Sequence, residues 1–251
     1  MAELTAELSR AGCVAAEEEA RDLVERAGDD PSLLRGLVDR RLAGEPLAWV
    51  TGRTDFAGQS VLVRAGVYVP RWQSMALALR AGARLPSDGR AIDLCTGTGA
   101  VAAALREARP AARVVATDSD SRAVDCARTN GVEAYLGDLF TPVPPGFRGQ
   151  TDVVVAIVPY VPSGELRLLP RDTLAFEDAA HYDGGPDGAD VLRRVVKEAP
   201  GYLRPSGALL LELGGDQADV LRPTLDHLGY GAIRTWSDDD GDLRGLEATW
   251  G

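Results

Sequence analysis

The segment Ala91-Ile92-Asp93-Leu94-Cys95-Thr96-Gly97-Thr98-Gly99-Ala100 constrains the fold of this chain more than any other stretch. An apolar run enters a turn of small residues, a helical pattern follows from Ala100 to Ala108, and a second apolar run ends at Asp118. Gly97 and Gly99 lack a Cβ, so the turn can bend sharply and bring backbone N–H groups and a helix N-terminus against a ligand. An acidic side chain closing the next strand, about twenty residues on, can accept hydrogen bonds from both hydroxyls of a ribose. Strand, glycine turn, helix, strand and acid, in that order, point to a nucleotide-like ligand at the edge of a parallel sheet.

The same alternation continues. A helix is predicted over Ser121–Thr129, a strand over Ala134–Leu136, and a loop at Pro142-Val143-Pro144-Pro145-Gly146. Asp152 to Ile157 is a near-continuous apolar strand, of the kind buried on both faces. An irregular stretch should run from there to Asp187, before a helix from Val191 to Ala199, a turn at Pro205-Ser206-Gly207 and a strand from Ala208 to Leu213. A helix over Gln217–Leu228 precedes two strands, Ala232–Trp236 and Leu243–Trp250, which the short turn Asp238–Asp242 makes antiparallel. Upstream, Glu3 to about Leu42 reads as two or three short helices, with Leu4, Leu8, Val14, Leu23 and Val24 among charges and Leu33, Leu34, Leu37 and Val38 after Asp29-Asp30-Pro31. Gly44-Glu45-Pro46 should end that unit. Ser60–Val63 and Val67–Val69, separated by Arg64-Ala65-Gly66, suggest a linking hairpin. The expected division is a helical domain at 1–48, a hairpin at 49–70 and the α/β domain at 71–251.

With 251 residues, 45% of them hydrophobic, the chain can bury one large core and a small appendage. A net charge of -11 weighs against a nucleic-acid partner, because affinity for phosphates depends on Lys and Arg. No apolar run approaches the roughly 20 residues of a membrane span, and Met1-Ala2-Glu3 opens no signal-like core, so a cytoplasmic protein without membrane contact is expected. Three scattered cysteines, Cys13, Cys95 and Cys126, and two histidines, His181 and His227, offer no metal-ligand spacing, and no metal is expected. Oligomeric state is not written in the sequence.

Several further motifs belong together. They are Arg40-Arg41 before Gly44-Glu45-Pro46-Leu47-Ala48, Thr51-Gly52, Phe56, Val69-Pro70-Arg71, the glycine turn, Asp152–Val155 leading to Pro159-Tyr160-Val161, and Asp183-Gly184-Gly185-Pro186-Asp187-Gly188. In order and spacing the chain resembles the HemK-like protein-glutamine methyltransferases, S-adenosyl-L-methionine-dependent enzymes that in bacteria modify the glutamine of the GGQ loop of peptide release factors. That resemblance implies a class I methyltransferase fold: a Rossmann-like α/β arrangement with a seven-stranded, mostly parallel sheet, an antiparallel last strand and a small N-terminal helical domain. It implies S-adenosyl-L-methionine as cofactor. Cys95, Thr96, Gly97, Thr98 and Gly99 would hold its methionine end, with Asp93 below them in the cofactor-binding set, Asp118 its ribose, and Asp138 and Leu139 its adenine.

The family's acceptor motif, Asn-Pro-Pro-Tyr, reads Ile157-Val158-Pro159-Tyr160 here. In the family the Asn side chain and a backbone carbonyl bind both hydrogens of a carboxamide and aim its nitrogen at the methyl group. Ile157 can do neither. An unpaired buried N–H costs about 1 to 3 kcal/mol, and poor alignment forfeits part of the roughly 7 to 11 kcal/mol that orientation can supply. Pro159 would fix the strand end, Tyr160 would wall the methyl group and Val158 would offer a carbonyl. Trp72-Gln73-Ser74-Met75 keeps one hydroxyl of a family segment, at Ser74, and Phe176-Glu177-Asp178 keeps one acid, at Glu177. Three readings follow: methylation of a release-factor glutamine, methylation of a small and less polar metabolite, or a protein that binds the cofactor without turnover or without methylating.

Overall fold

The structure is a computed structural model that describes residues 1–169 and 171–251. Seven strands form one sheet: β3 (Arg90–Leu94), β4 (Arg113–Asp118), β5 (Glu133–Leu136), β6 (Thr151–Ala156), β7 (Leu203–Glu212), β8 (Tyr230–Ser237) and β9 (Leu243–Trp250), in the order β5-β4-β3-β6-β7-β9-β8. Neighbouring pairs from β5 to β7 are parallel, and β9 runs antiparallel to both β7 and β8.

Period-two side chains sort into two faces. Ile92, Leu94, Val154, Ala156, Leu209 and Leu211 pack on α9 (Asp190–Glu198) and α10 (Gln217–Leu228) through Leu192, Val195, Val196, Leu221 and Leu225. Ala91, Val153, Val155, Ala208 and Leu210 face the other way, onto α5 (Met75–Arg84), α6 (Ala100–Ala108) and α7 (Ser121–Thr129). Helices on both faces explain why the central strands read as unbroken apolar runs. The chain lays down β3, β4 and β5 outward in one direction, then crosses back to place β6 on the far side of β3. The crevice outside the carboxyl ends of β3 and β6 is thus the switch point where such sheets bind ligands.

Three helices open the chain, α1 (Ala2–Arg10), α2 (Ala16–Ala27) and α3 (Pro31–Leu42), with a separate core of Leu8, Ala20, Leu23, Leu37, Val38 and Val50. Asp30 caps α3, accepting from the N–H groups of Ser32 and Leu33 at 2.9 and 3.0 Å, with Pro31 in the first turn. Val14, expected on a buried face, is fully exposed in the turn between α1 and α2. Nor does Gly44-Glu45-Pro46 end the helical unit. It leads into α4 (Leu47–Thr51), whose Val50 joins that core.

The hairpin lies within 49–70, and its second strand falls on the expected run from Ser60, but its partner lies upstream rather than at Val67–Val69: β1 (Arg53–Phe56) pairs with β2 (Gln59–Leu62). Ala57 and Gly58 both have positive φ, 50° and 80°, the two-residue turn whose twist matches a hairpin. Val67 and Val69 are buried without forming a strand, and the Val67 carbonyl accepts from the Trp49 indole at 2.9 Å. The stretch expected to be irregular up to Asp187 contains a short helix, α8 (Arg171–Phe176), and residue 170 within it lies outside the described residues. Helix α5 carried no expectation; it buries one face through Leu77, Ala78, Ala81 and Gly82.

Candidate active site

The turn after β3 is built around a buried acid. Asp93, 2% exposed, accepts from the Thr96 hydroxyl at 2.6 Å and from the Ala102 N–H at 3.2 Å, which ties the turn to the first turn of α6. Burial pushes its carboxyl up to about 7. Gly97 (φ 56°) and Gly99 (φ 82°) both occupy the left-handed region, and Cys95 joins them at φ 55°. The two glycines differ in purpose. A Cβ at Gly99 would press into Ala127 and Val132, so this residue lets α6 and α7 approach. A Cβ at Gly97 would meet nothing closer than the Tyr68 carbonyl at 3.9 Å, because that side opens into a cavity.

That cavity has a volume of about 630 Å³, within the range of small-molecule sites, and lies at the switch point. Of the residues expected to hold a cofactor, Cys95, Gly97, Asp118, Asp138 and Leu139 line it. Asp93, Thr96, Thr98 and Gly99 stand behind its wall, shaping the turn, and Thr96 and Thr98 instead border a small adjoining void. Asp118 ends β4 with each carboxylate oxygen holding one backbone N–H, Gly97 on Oδ2 and Asp120 on Oδ1, both at 2.9 Å. Each oxygen keeps a lone pair, so two hydroxyls can still donate. Burial raises its carboxyl above the ordinary range, opposed by those two bonds. Past β5, Leu139 sits at φ 45° and Asp138 pairs with Arg194 of α9 at 2.5 Å.

All four residues expected at the acceptor position, Ile157, Val158, Pro159 and Tyr160, line the same cavity from the end of β6. Ile157 packs against the core that holds Phe56 and Val61 and borders the small void beside Ser74. The following segment is held from three sides. Val161 donates to the Tyr182 carbonyl at 2.8 Å and accepts from Gly184 at 2.9 Å. The Gln217 amide donates to the carbonyls of Tyr160 at 2.6 Å and Gly188 at 3.1 Å. The Tyr160 hydroxyl donates to Glu212 at 3.0 Å. Asp183 and Asp187 are turn residues, accepting from Gly185 and Ala189 N–H groups, and Asp187 also holds Arg193.

Other residues around the site had no role assigned to them from the sequence. Arg71 donates to Glu177 at 2.5 Å and to the Tyr182 hydroxyl at 2.9 Å, while Tyr182 donates to Glu177 at 2.7 Å. Tyr68 packs edge-on against Tyr182 at 5.6 Å, with Arg71 over its ring, and burial pushes its phenol up to about 12. His181 lines the cavity with Nδ1 buried and without a partner among the described residues. Partners such as Arg71 and Glu177 lie 106 residues apart, so no local pattern announces them. Val69-Pro70-Arg71 and Phe176-Glu177, each part of a family segment, were the available signals.

The donor set fits a nucleoside bearing positive charge. Asp118, Asp120, Asp138 and Asp178 surround the cavity, Arg122 and Arg194 among its lining residues are each paired to one of them, and the open side of Gly97 admits a ligand against backbone. Residues 75–139 match the family profile described as methyltransferase small domain. A release factor glutamine methyltransferase of Neisseria gonorrhoeae is 35% identical over 236 residues, covering 90% of this chain and 84% of that protein. One of Geobacter sulfurreducens is 33% identical, over 82% of this chain and 74% of its own length. Among solved structures, the E. cuniculi Mtq2–Trm112 complex, described as responsible for methylation of the eRF1 translation termination factor, superposes with a TM-score of 0.56 at 23% identity, covering 74% of this chain and 99% of that one, which shows the shared fold. The chain belongs to the release factor glutamine methyltransferase family and is an S-adenosyl-L-methionine-dependent methyltransferase.

Proposed function

We propose that this enzyme methylates the side-chain amide of a glutamine in a protein, a peptide chain release factor. The observation that carries this reading is the placement of Ile157–Tyr160 on the wall shared with Cys95 and Gly97, which sets an acceptor beside the turn where the cofactor would lie. When bound, the cofactor supplies a methyl group already activated on a sulfonium. The chain's own residues bind, orient and exclude water. Asp118 would hold the ribose hydroxyls, Cys95 and Gly97 the methionine end, and Asp138 and Leu139 the adenine, while Asp93, Thr96, Thr98 and Gly99 keep the turn in shape. Pro159 and the Gln217 bond fix the direction of Tyr160, and Tyr68 and Tyr182 close the side facing the N-terminal half. It would act in the cytoplasm, where its three cysteines stay reduced.

Ile157 favours a second reading, a small acceptor less polar than a carboxamide. Incubation with methyl-labelled cofactor separates the two: label on a release factor supports the first, and label confined to a metabolite fraction supports the second. The cofactor pocket is tested on its own by calorimetry with S-adenosylhomocysteine, where Asp118→Ala should weaken binding at least about tenfold by removing a charged acceptor. Equal heats from both proteins would place the ligand elsewhere.

A further inference from the structure

The acceptor end of the cavity has lost a carboxamide at position 157 and retains a phenol whose proton is already committed. Tyr160 donates its hydroxyl proton to Glu212 Oε1 at 3.0 Å. Glu212 is the last residue of β7 and is 4% exposed. Four groups act on it: the hydroxyls of Tyr160 after β6 and Ser74 before α5, and, through their charge or potential charge, Tyr68 from the segment after the hairpin and Arg244 of β9. Its Oε2 makes no well-formed hydrogen bond among the described residues, although the Ser74 hydroxyl stands beside it. Burial raises its carboxyl from the ordinary range, opposed by the Ser74 and Tyr160 hydroxyls and then by Arg244.

A phenol has one proton to give and two lone pairs to receive with. With the proton held by Glu212, the Tyr160 oxygen can only accept, and the carboxylate behind it enriches its electron density. The ring is kept in place because the Tyr160 carbonyl is bound by Gln217 and packed under Gly188. A primary amide brings two N–H groups into the site, and Ile157 offers neither of them a partner. We propose that Tyr160 accepts a hydrogen bond from the N–H of the glutamine acceptor, and that Glu212 is the positioning residue that turns the Tyr160 proton away from it. The inference rests on the protein-glutamine reading given above.

Binding tests it without turnover. The full chain, saturated with S-adenosylhomocysteine, is titrated with a Gly-Gly-Gln peptide and with the same peptide carrying the isosteric methyl ketone, CH₃ in place of NH₂. The parent enzyme should prefer the amide about tenfold, the size of one net hydrogen bond. Tyr160→Phe, which keeps the ring, should bring the ratio to within about twofold. Ile157→Asn combined with Tyr160→Phe should restore it, since the carboxamide then receives the N–H. Glu212→Gln can still accept from Tyr160 but carries no charge, so its ratio should fall to about threefold and lose the decline that the parent shows as pH drops and Glu212 takes up a proton. Melting temperature and S-adenosylhomocysteine affinity report on folding of each variant. A tenfold preference that survives in Tyr160→Phe overturns this inference alone. Failure of the parent to bind either peptide, with no label on a release factor, overturns the substrate reading and this inference with it.

Discussion

The proposed effect of Ile157 on the acceptor can be tested at the scale of one residue. An apolar side chain at the end of β6 packs on the Phe56 and Val61 core where a carboxamide would otherwise reach the acceptor. Ile157→Asn should raise methyl transfer to a glutamine peptide by about tenfold or more, a modest share of what alignment can supply. Single-turnover rates with labelled cofactor measure it, and an unchanged or lower rate would contradict the role given to this position. Asp93 offers a second test at this scale. Its carboxyl titrates at about 7 in the folded chain because it is buried, against an ordinary aspartate range when unfolded. The folded state therefore holds the proton more tightly. Asp93 contributes its full stability below pH about 4 and loses it as pH rises through about 7. Between pH 5 and 8 an Asp93→Asn variant should gain on the parent, by about 2 to 3 kcal/mol in denaturant unfolding. A difference that stays flat with pH would count against the raised value.

At the scale of elements, the segment after β6 shows how one loop serves another. Gly188 has φ 72°, and a Cβ there would collide with the Tyr160 carbonyl and the Gln217 amide nitrogen. Gly188→Ala should lower activity at least about tenfold through displacement of Tyr160 and cost roughly 1 to 3 kcal/mol of stability. Activity and melting temperature together check it. The sheet and its flanking helices were legible because β3, β4, β6 and β7 are buried on both faces and the intervening helices carry one apolar face. The hairpin was misplaced for a physical reason: β1, Arg-Thr-Asp-Phe, is polar and mostly exposed, while Val67 and Val69 are buried by side chains and form no ladder. Ala57 in a left-handed turn gives no glycine or asparagine signal at the first turn position. The glycine turn and Asp118 were readable from local order. The partners of Glu212, Gln217 and Glu177 were not, because each acts on a residue 52 to 106 positions away.

For the molecule as a whole, the sequence-based expectation of no nucleic-acid partner is open to test. A net charge of -11 opposes the long-range approach of a phosphate backbone. Fluorescence anisotropy with a short RNA at physiological salt should show no saturation at concentrations of order 10 μM. Saturable binding there would point to a basic face outweighing the total. Among the described residues no helix is long and apolar enough to cross a membrane.

The strand order of the sheet has a consequence for biosynthesis. Strand β8 touches the sheet only through β9, which is made after it and must slide between β7 and β8 in antiparallel register. On a translating ribosome, β8 therefore waits unpaired while Leu243 to Trp250 leaves the exit tunnel, and the edge of β7 that ends in Glu212 stays open for the same interval. Nascent chains of this enzyme should acquire protease resistance in the region of β3 to β6 well before they can seat the phenol of Tyr160.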